Sequence, residues 1–241
     1  MPYRCEASSV EGFVQQIACC YLRHGYWWYV TGWIPGDKDP RVVDAKLIEK
    51  YEIGVSESTR LRRKRLGCAN LQYLRYGRFF VLLATEGRHR FWEEEGERIR
   101  DVRRVPLRFE GYSLGYRRGG RTAKGEVDAK WHAHVEIERE TFKELRDYFL
   151  HLAPHRSAKN LALAFYGIPF EAYAPVRRQV LGIFRAVNRA RKQAGYELLP
   201  KGVLPLRRRV VRPFGNDRSA RQDLAGEIGV APEAFRVAGG L

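Results

Sequence analysis

The chain has 241 residues, a formal net charge of +16 at pH 7 and 12% aromatic residues, a composition typical of a folded protein. No stretch approaches the roughly 20 apolar residues of a membrane helix, and the opening residues MPYRCEASSVEG lack the apolar core of a secretory signal. The four cysteines form no CxxC pair, which argues against a zinc knuckle and fits a reducing compartment. We therefore expect a cytoplasmic protein without a membrane partner.

The first two thirds of the chain predict a mixed α+β body. Ser8 and Glu11 form a capping box for a first helix that Gly25 ends. The aromatic and β-branched run 26–34 predicts a buried strand. The further predicted elements are helices from Asp39 and over 56–66, a hairpin of strands 71–76 and 79–85, strands over 102–109, 112–117 and 131–137, a loop over 118–130, and a helix over 140–152.

After Pro154 the predicted secondary structure becomes helical, with helices over 158–166 and 175–194. The predicted fold class is α+β, with a mostly antiparallel sheet and flanking helices, followed by a helical basic C-terminal part. The predicted domain organisation is an α+β body over 1–157, a helical basic region over 158–215 and a tail over 216–241 whose order the sequence does not indicate.

The positive charge is concentrated in two segments. Residues 60–90 have a net charge of +8 and residues 158–213 a net charge of +10, so the rest of the chain is slightly acidic. Segregated charge produces a directional field that attracts a polyanion, and Arg, which outnumbers Lys 34 to 10, suits phosphate. This pattern favours nucleic acid as the partner, while an acidic protein or simple solubility stays open as its explanation.

The segment Leu47–Leu66 resembles the helix-turn-helix pattern, in which a helix meets a Gly-Val-Ser turn and a second helix follows. Gly54 supplies the turn, Val55 an apolar anchor and Ser56 an N-cap. The resemblance implies a DNA-reading segment over 40–66, with the hairpin 71–85 as a wing. The alternative is a solvated surface helix. The basic residues predicted to contact nucleic acid here are Arg60, Arg62, Arg63, Lys64, Arg65, Arg75 and Arg78.

A second basic surface is predicted on the helix that begins at Pro175. Its apolar positions form one stripe, and basic residues recurring at spacings of seven, four and three line another face. An extended, proline-bracketed segment with three consecutive arginines follows. The residues predicted to contact nucleic acid here are Arg178, Arg185, Arg189, Lys192, Arg207, Arg208 and Arg209. The alternative is that these basic residues are simply the solvent-exposed face of an amphipathic helix.

The sequence WHAHV places His132 and His134 on one side of a predicted strand, because residues two apart share a face. It resembles the His-hydrophobic-His motif of HUH endonucleases. That resemblance implies a Mn²⁺ or Mg²⁺ site on the two histidines and a nucleophilic tyrosine downstream, with Tyr148 and Tyr173 as candidates. Two histidines of a surface strand without metal are the alternative.

The sequence thus favours a non-catalytic nucleic-acid-binding protein, for DNA more than RNA, that grips the phosphate backbone through two Arg-rich segments. One alternative is an HUH-type enzyme of a mobile element that nicks single-stranded DNA. The other is an RNA-binding subunit of a ribonucleoprotein, in which exposed aromatic residues stack on bases.

Overall fold

A computed structural model describes residues 3–119, 126 and 128–214. Within these residues the protein has seven α-helices and two antiparallel sheets, which confirms the predicted α+β class. The α-helices are α1 (Val10–Gln15), α2 (Pro40–Lys50), α3 (Glu57–Arg65), α4 (Phe91–Glu95), α5 (Arg139–Leu152), α6 (Ala158–Tyr166) and α7 (Ala174–Gln193). The strands are β1 (Trp28–Trp33), β2 (Leu71–Tyr76), β3 (Phe79–Ala84), β4 (Arg100–Asp101), β5 (Leu107–Phe109), β6 (Tyr112–Arg118) and β7 (Trp131–Ile137). The tail predicted over 216–241 lies outside the described residues.

The first sheet has four strands in the order β2-β3-β1-β4. The predicted hairpin is confirmed: β2 and β3 pair antiparallel through a turn at Gly77, whose φ of +56° is a conformation that glycine adopts without strain. The aromatic run at β1 lies antiparallel to β3, with Val30 opposite Leu82. Both of these side chains are buried in a cluster with Tyr51 and Phe91. Burial of β-branched and aromatic side chains therefore fixes the register of this sheet.

The prediction of one continuous strand over 102–109 is wrong. The chain instead forms the two-residue β4, a turn, and the three-residue β5. Asp101 accepts a hydrogen bond of 2.9 Å from the backbone N–H of Arg103, which closes the turn. Pro106 precedes β5 and has no N–H to donate, so a continuous strand is interrupted there.

The described chain divides into two compact units, each assembled from separated stretches of sequence. Unit 1 contains the residues up to 107, residues 114–134 and the described residues from 211. Unit 2 contains residues 108–113 and 135–210. The boundary predicted at residue 157 falls inside unit 2, because α5 packs against α7 there.

Unit 1 joins its first helix to its last described residues. The side chain of Gln15 donates a hydrogen bond of 2.7 Å to the carbonyl of Val211 and accepts one of 3.2 Å from the Val211 N–H. The backbone N–H of Ser8 donates to the carbonyl of Pro213 at 2.9 Å. After α1 the backbone continues directly into a π-helical segment, Gln16–Tyr21.

Unit 2 is built around the apolar faces of α5, α6 and α7. The rings of Phe149 and Phe165 stack with centroids 4.1 Å apart, and Phe184 meets Phe165 edge-on at 5.8 Å. The three rings are buried and link the three helices. None of the helices in the described part of the chain combines the length and the apolar character that a membrane span requires.

Candidate nucleic-acid interface

The longest helix, α7, forms as the sequence predicts. Pro175 lies in its first turn, where a missing N–H costs nothing, and Gly195 follows its end with a φ of +73°. One face of the helix is buried through Val176, Val180 and Ile183, together with Phe184 and Val187. That buried stripe fixes the rotation of the helix about its axis, and so decides which side chains face the solvent.

Four basic residues occupy one line on the exposed side of α7, and we call them the α7 stripe: Arg178, Arg185, Arg189 and Lys192. All four are exposed, and none of their side chains forms an ion pair or hydrogen bond with another residue in the part of the chain that the structure describes. At about 1.5 Å per residue, the stripe spans roughly 21 Å. The helix contains no Asp or Glu to neutralise it.

Gly182 lies on the same line, four residues after Arg178 and three before Arg185. It is exposed, and a Cβ added to it would meet no atom within 4 Å. Packing therefore does not require glycine here, although glycine in a helix interior costs about 0.5–1 kcal/mol relative to alanine. The residue leaves the helix backbone uncovered in the middle of the basic line, a feature that the charge pattern alone does not reveal.

Arg191 is the cation of α7 that points inward. Its guanidinium donates hydrogen bonds to the carbonyl oxygens of Ala153 at 2.7 Å, Arg156 at 2.8 Å and Glu197 at 2.6 Å. Its side chain also lies against the Tyr196 ring, 5.5 Å from the centroid. Arg191 is thus a structural cross-link within unit 2, and it adds nothing to the exposed stripe.

The three arginines that follow α7 differ in their surroundings. Arg207 and Arg209 are exposed, and the backbone N–H of Arg209 donates to the carboxylate of buried Glu171 at 2.9 Å. Arg208 lies over the ring of Tyr173, 5.0 Å from its centroid. Tyr173, one of the two candidate nucleophiles, therefore has a guanidinium on its ring face.

The basic helix α3 is a surface helix. The hydroxyl of Ser56 accepts a hydrogen bond of 3.2 Å from the Thr59 N–H, so the predicted N-cap is confirmed. Arg62, Lys64 and Arg65 are exposed and form no ion pair with another described residue.

The other two basic residues of α3 point back to the protein. Arg63 forms an ion pair with Glu52 and also donates to its carbonyl at 3.1 Å. Arg60 is half-buried, and the Nε atom of its side chain is buried. Three of the five basic residues predicted on this helix are therefore presented to solvent.

The helix-turn-helix prediction does not match the packing of this segment. A reading helix of that class buries an apolar side against its partner helix, whereas no residue of α3 is buried. The turn is anchored by Tyr51 and Ile53, which are 0% and 1% exposed, and the predicted anchor Val55 is only half-buried. The second helix is held by the turn and by polar contacts, such as the hydrogen bond from the Asn70 side chain to the Arg60 carbonyl.

Two arginines of the hairpin, both predicted to contact nucleic acid, are occupied within the protein. Arg75 is 3% exposed and forms buried hydrogen bonds with Asp44, so its guanidinium is not available to a phosphate. Arg78 donates to the carbonyls of Gly36 at 3.0 Å and Lys38 at 3.2 Å. The prediction that Arg75 and Arg78 contact nucleic acid is therefore wrong for these contacts: both side chains have structural roles, because carbonyl and carboxylate oxygens within the fold satisfy their donors.

The histidine pair lies on one face of β7, as predicted, since Val135 and Ile137 are buried on the opposite face. The imidazole Nε2 of His132 lies 2.8 Å from a carboxylate oxygen of Asp128. The Lys130 N–H and the His132 imidazole, both bound to this carboxylate, lower the pKa of Asp128. In residues 3–119, 126 and 128–214 no group of three His, Cys, Asp or Glu side chains is arranged to hold a metal ion.

The two candidate nucleophilic tyrosines lie on unit 2. Tyr148 is on α5 with 37% of its surface exposed, and Tyr173 immediately precedes α7. Both histidines belong to unit 1. Among the described residues, the two histidines therefore lie in unit 1 and the two tyrosines lie in unit 2.

A set of aromatic contacts in unit 1 was not predicted from the sequence. The rings of Trp27, Tyr116 and Trp131 stack in that order, and we call these three residues the aromatic column. Tyr116 and Trp131 come from β6 and β7, and Trp27 precedes β1. Their separation along the chain hides the column from any local pattern.

Comparisons of the chain with protein-family models, with curated proteins and with solved structures found no match.

Proposed function

We propose that this protein binds nucleic acid, with DNA as the favoured polymer, by holding the phosphate backbone on the α7 stripe. The observation that carries the proposal is the exposed line of Arg178, Arg185, Arg189 and Lys192 without acidic partners among the described residues. Guanidinium groups match the bidentate geometry of phosphate oxygens. A polyanion bound along the line would release its condensed counterions, which is the main source of backbone affinity.

The spacing of the stripe adds a second argument. Arg185, Arg189 and Lys192 follow one another at four and three residues, so like charges are neighbours on the helix surface. Such pairs destabilise a helix by about 0.2–0.5 kcal/mol each. A phosphate between two of them relieves the repulsion, so the free protein stores a small electrostatic cost that a polyanion removes.

The exposed residues of α3 are proposed as a second phosphate contact. Arg62, Lys64 and Arg65 have the same properties as the stripe, namely exposure and no ion pair with a described residue. The absence of a buried side on α3 favours a contact to the backbone over base reading.

The test is the salt dependence of duplex DNA affinity, measured by fluorescence anisotropy between about 50 and 200 mM salt. The triple variant Arg185→Gln, Arg189→Gln, Lys192→Gln is expected to reduce the slope of log affinity against log salt by about 2 to 3. The matched control removes three exposed cations from the slightly acidic N-terminal part: Lys38→Gln, Arg41→Gln and Lys46→Gln.

The control is expected to leave the slope nearly unchanged. Equal losses in both triple variants would mean that net charge alone drives binding, and an unchanged slope in the α7 variant would remove the stripe from the interface. A parallel triple variant of Arg62, Lys64 and Arg65 tests α3 in the same way. Tighter binding of RNA than of DNA by the wild type would favour the ribonucleoprotein alternative.

A further inference from the structure

The aromatic column is a stack of nearly parallel rings. The Trp27 and Tyr116 centroids are 5.6 Å apart with an interplanar angle of 28°. The Tyr116 and Trp131 centroids are 5.9 Å apart with an angle of 17°. Rings in this arrangement support one another in a fixed plane, which makes the outermost ring a rigid surface.

Two guanidinium groups accompany the column. Arg103 lies over Trp27 at 4.5 Å from its centroid and is itself held by Asp101 through hydrogen bonds of 2.9 Å and 3.1 Å. Arg118 lies 5.9 Å from the Trp131 centroid. Cations near an aromatic face are a recurrent component of sites that bind single-stranded nucleic acid.

Trp131 is the most exposed ring of the column. Tyr116 is 9% exposed, whereas Trp131 is 42% exposed at the first position of β7. Arg118 and Lys130 are exposed beside it, and the Gly119 N–H donates to the Lys130 carbonyl at 2.7 Å, which keeps these two strand ends together. A large, exposed aromatic side chain thus has two exposed cations near it, and the guanidinium of Arg118 lies over its ring.

We propose that Trp131 is a stacking platform for one unpaired nucleobase of a single-stranded nucleic acid, with Arg118 and Lys130 contacting the adjacent phosphates. The proposal rests on the proposed function and specifies its ligand class. Every nucleobase has a π face that stacks on an indole, so the site tolerates different sequences. A duplex keeps its bases within its own stack and cannot use the platform.

The experiment separates base contacts from phosphate contacts. Affinities are measured for a dye-labelled oligothymidylate of about 12 nucleotides, for an abasic deoxyribose-phosphate chain of equal length, and for duplex DNA. Wild-type protein is expected to prefer the oligothymidylate over the abasic chain. Trp131→Ala is expected to weaken oligothymidylate binding by about 5- to 100-fold and to leave abasic and duplex binding unchanged.

Trp131→Phe keeps an aromatic face and is expected to retain most of the preference for bases. The control is Trp33→Ala, because Trp33 is 64% exposed but contacts Phe79 edge-on without a parallel ring. Its removal is expected to leave all three affinities unchanged. Circular dichroism of each variant confirms that the sheet is intact before binding is compared.

The two proposals fail in different ways. Equal wild-type affinity for the oligothymidylate and the abasic chain would overturn the platform and leave phosphate binding in place. The same holds if folded Trp131→Ala and Trp131→Phe both keep the full base preference. Absence of binding to all three polymers would overturn the proposed function itself.

Discussion

The guanidinium of Arg75 binds both carboxylate oxygens of Asp44, with Nε 2.9 Å from Oδ1 and Nη2 3.0 Å from Oδ2. The two side chains are 3% and 9% exposed. The hydroxyl of Tyr73 donates to the same carboxylate at 2.6 Å. This buried network explains how a basic residue can occupy a buried position of a strand whose two faces are both covered.

Removal of one partner of this pair is expected to destabilise unit 1. Asp44→Ala leaves the Arg75 charge buried without its main partner, so we expect the free energy of unfolding in urea to fall by about 3–5 kcal/mol. The exposed Arg62→Ala is the control, with an expected change within about 0.5 kcal/mol. A loss below 1 kcal/mol for Asp44→Ala would show that the network contributes little.

The stability of unit 1 is expected to depend on His89 in mild acid. Its Nδ1 accepts a hydrogen bond of 3.1 Å from the Phe91 N–H, which requires an unprotonated nitrogen. Burial lowers the pKa of His89 below its ordinary value of 6.5. The stabilisation is therefore complete above pH 6.5 and is lost as the pH falls through the lowered value.

Unfolding free energies measured in urea at a series of pH values between 7 and 5 are expected to show this loss for the wild type and a smaller one for His89→Asn. Replacement of the exposed His24 by Gln is the control and is expected to preserve the wild-type profile. Identical profiles for wild type and His89→Asn would contradict the assignment.

Gly182 is expected to lower the stability of α7 and to let a ligand approach the helix backbone closely. Gly182→Ala removes the helix-interior penalty and is expected to stabilise the protein by about 0.5–1 kcal/mol, measured by thermal or urea unfolding. Gly182→Leu covers the backbone in the middle of the α7 stripe and is expected to weaken duplex binding. Gln193→Leu, exposed next to the stripe, is the matched control. Unaltered binding by Gly182→Leu would mean that nothing approaches the helix there.

The histidine pair is expected not to support DNA nicking. The imidazole of His132 is already bound to the carboxylate of Asp128, which competes with a metal ion for the same nitrogen. Incubation with Mn²⁺ and single-stranded DNA is expected to give no covalent protein–DNA adduct. An adduct that disappears in Tyr148→Phe or in Tyr173→Phe would establish the HUH-type alternative.

Local sequence patterns were sufficient for the elements that have a single buried face. The apolar spacing of α7 predicts both its length and its exposed stripe, and the Gly77 turn predicts the β2–β3 hairpin. The two-residue β4 has no periodicity of its own, so it forms only because β1 offers an unpaired edge. Its existence depends on tertiary pairing that a local pattern does not contain.

The candidate site was predicted less well, because charge counted along the chain does not say which way a side chain points. Arg75 and Arg191 lie in the two basic segments yet are buried against carboxylate or carbonyl oxygens. The aromatic column shows the converse case. Trp27 and Trp131 are about a hundred positions apart in the sequence and share one stack only through Tyr116.

The hydrogen bonds between Gln15 and Val211 can form only late in synthesis, since 196 positions separate the two residues. At about 5–20 residues per second, a ribosome needs roughly 10–40 seconds to add the second partner after the first. Residues 135–210, which form most of unit 2, are synthesised within that interval. All described residues of unit 2 are therefore synthesised before the unit that contains the N-terminal helix receives its last described segment.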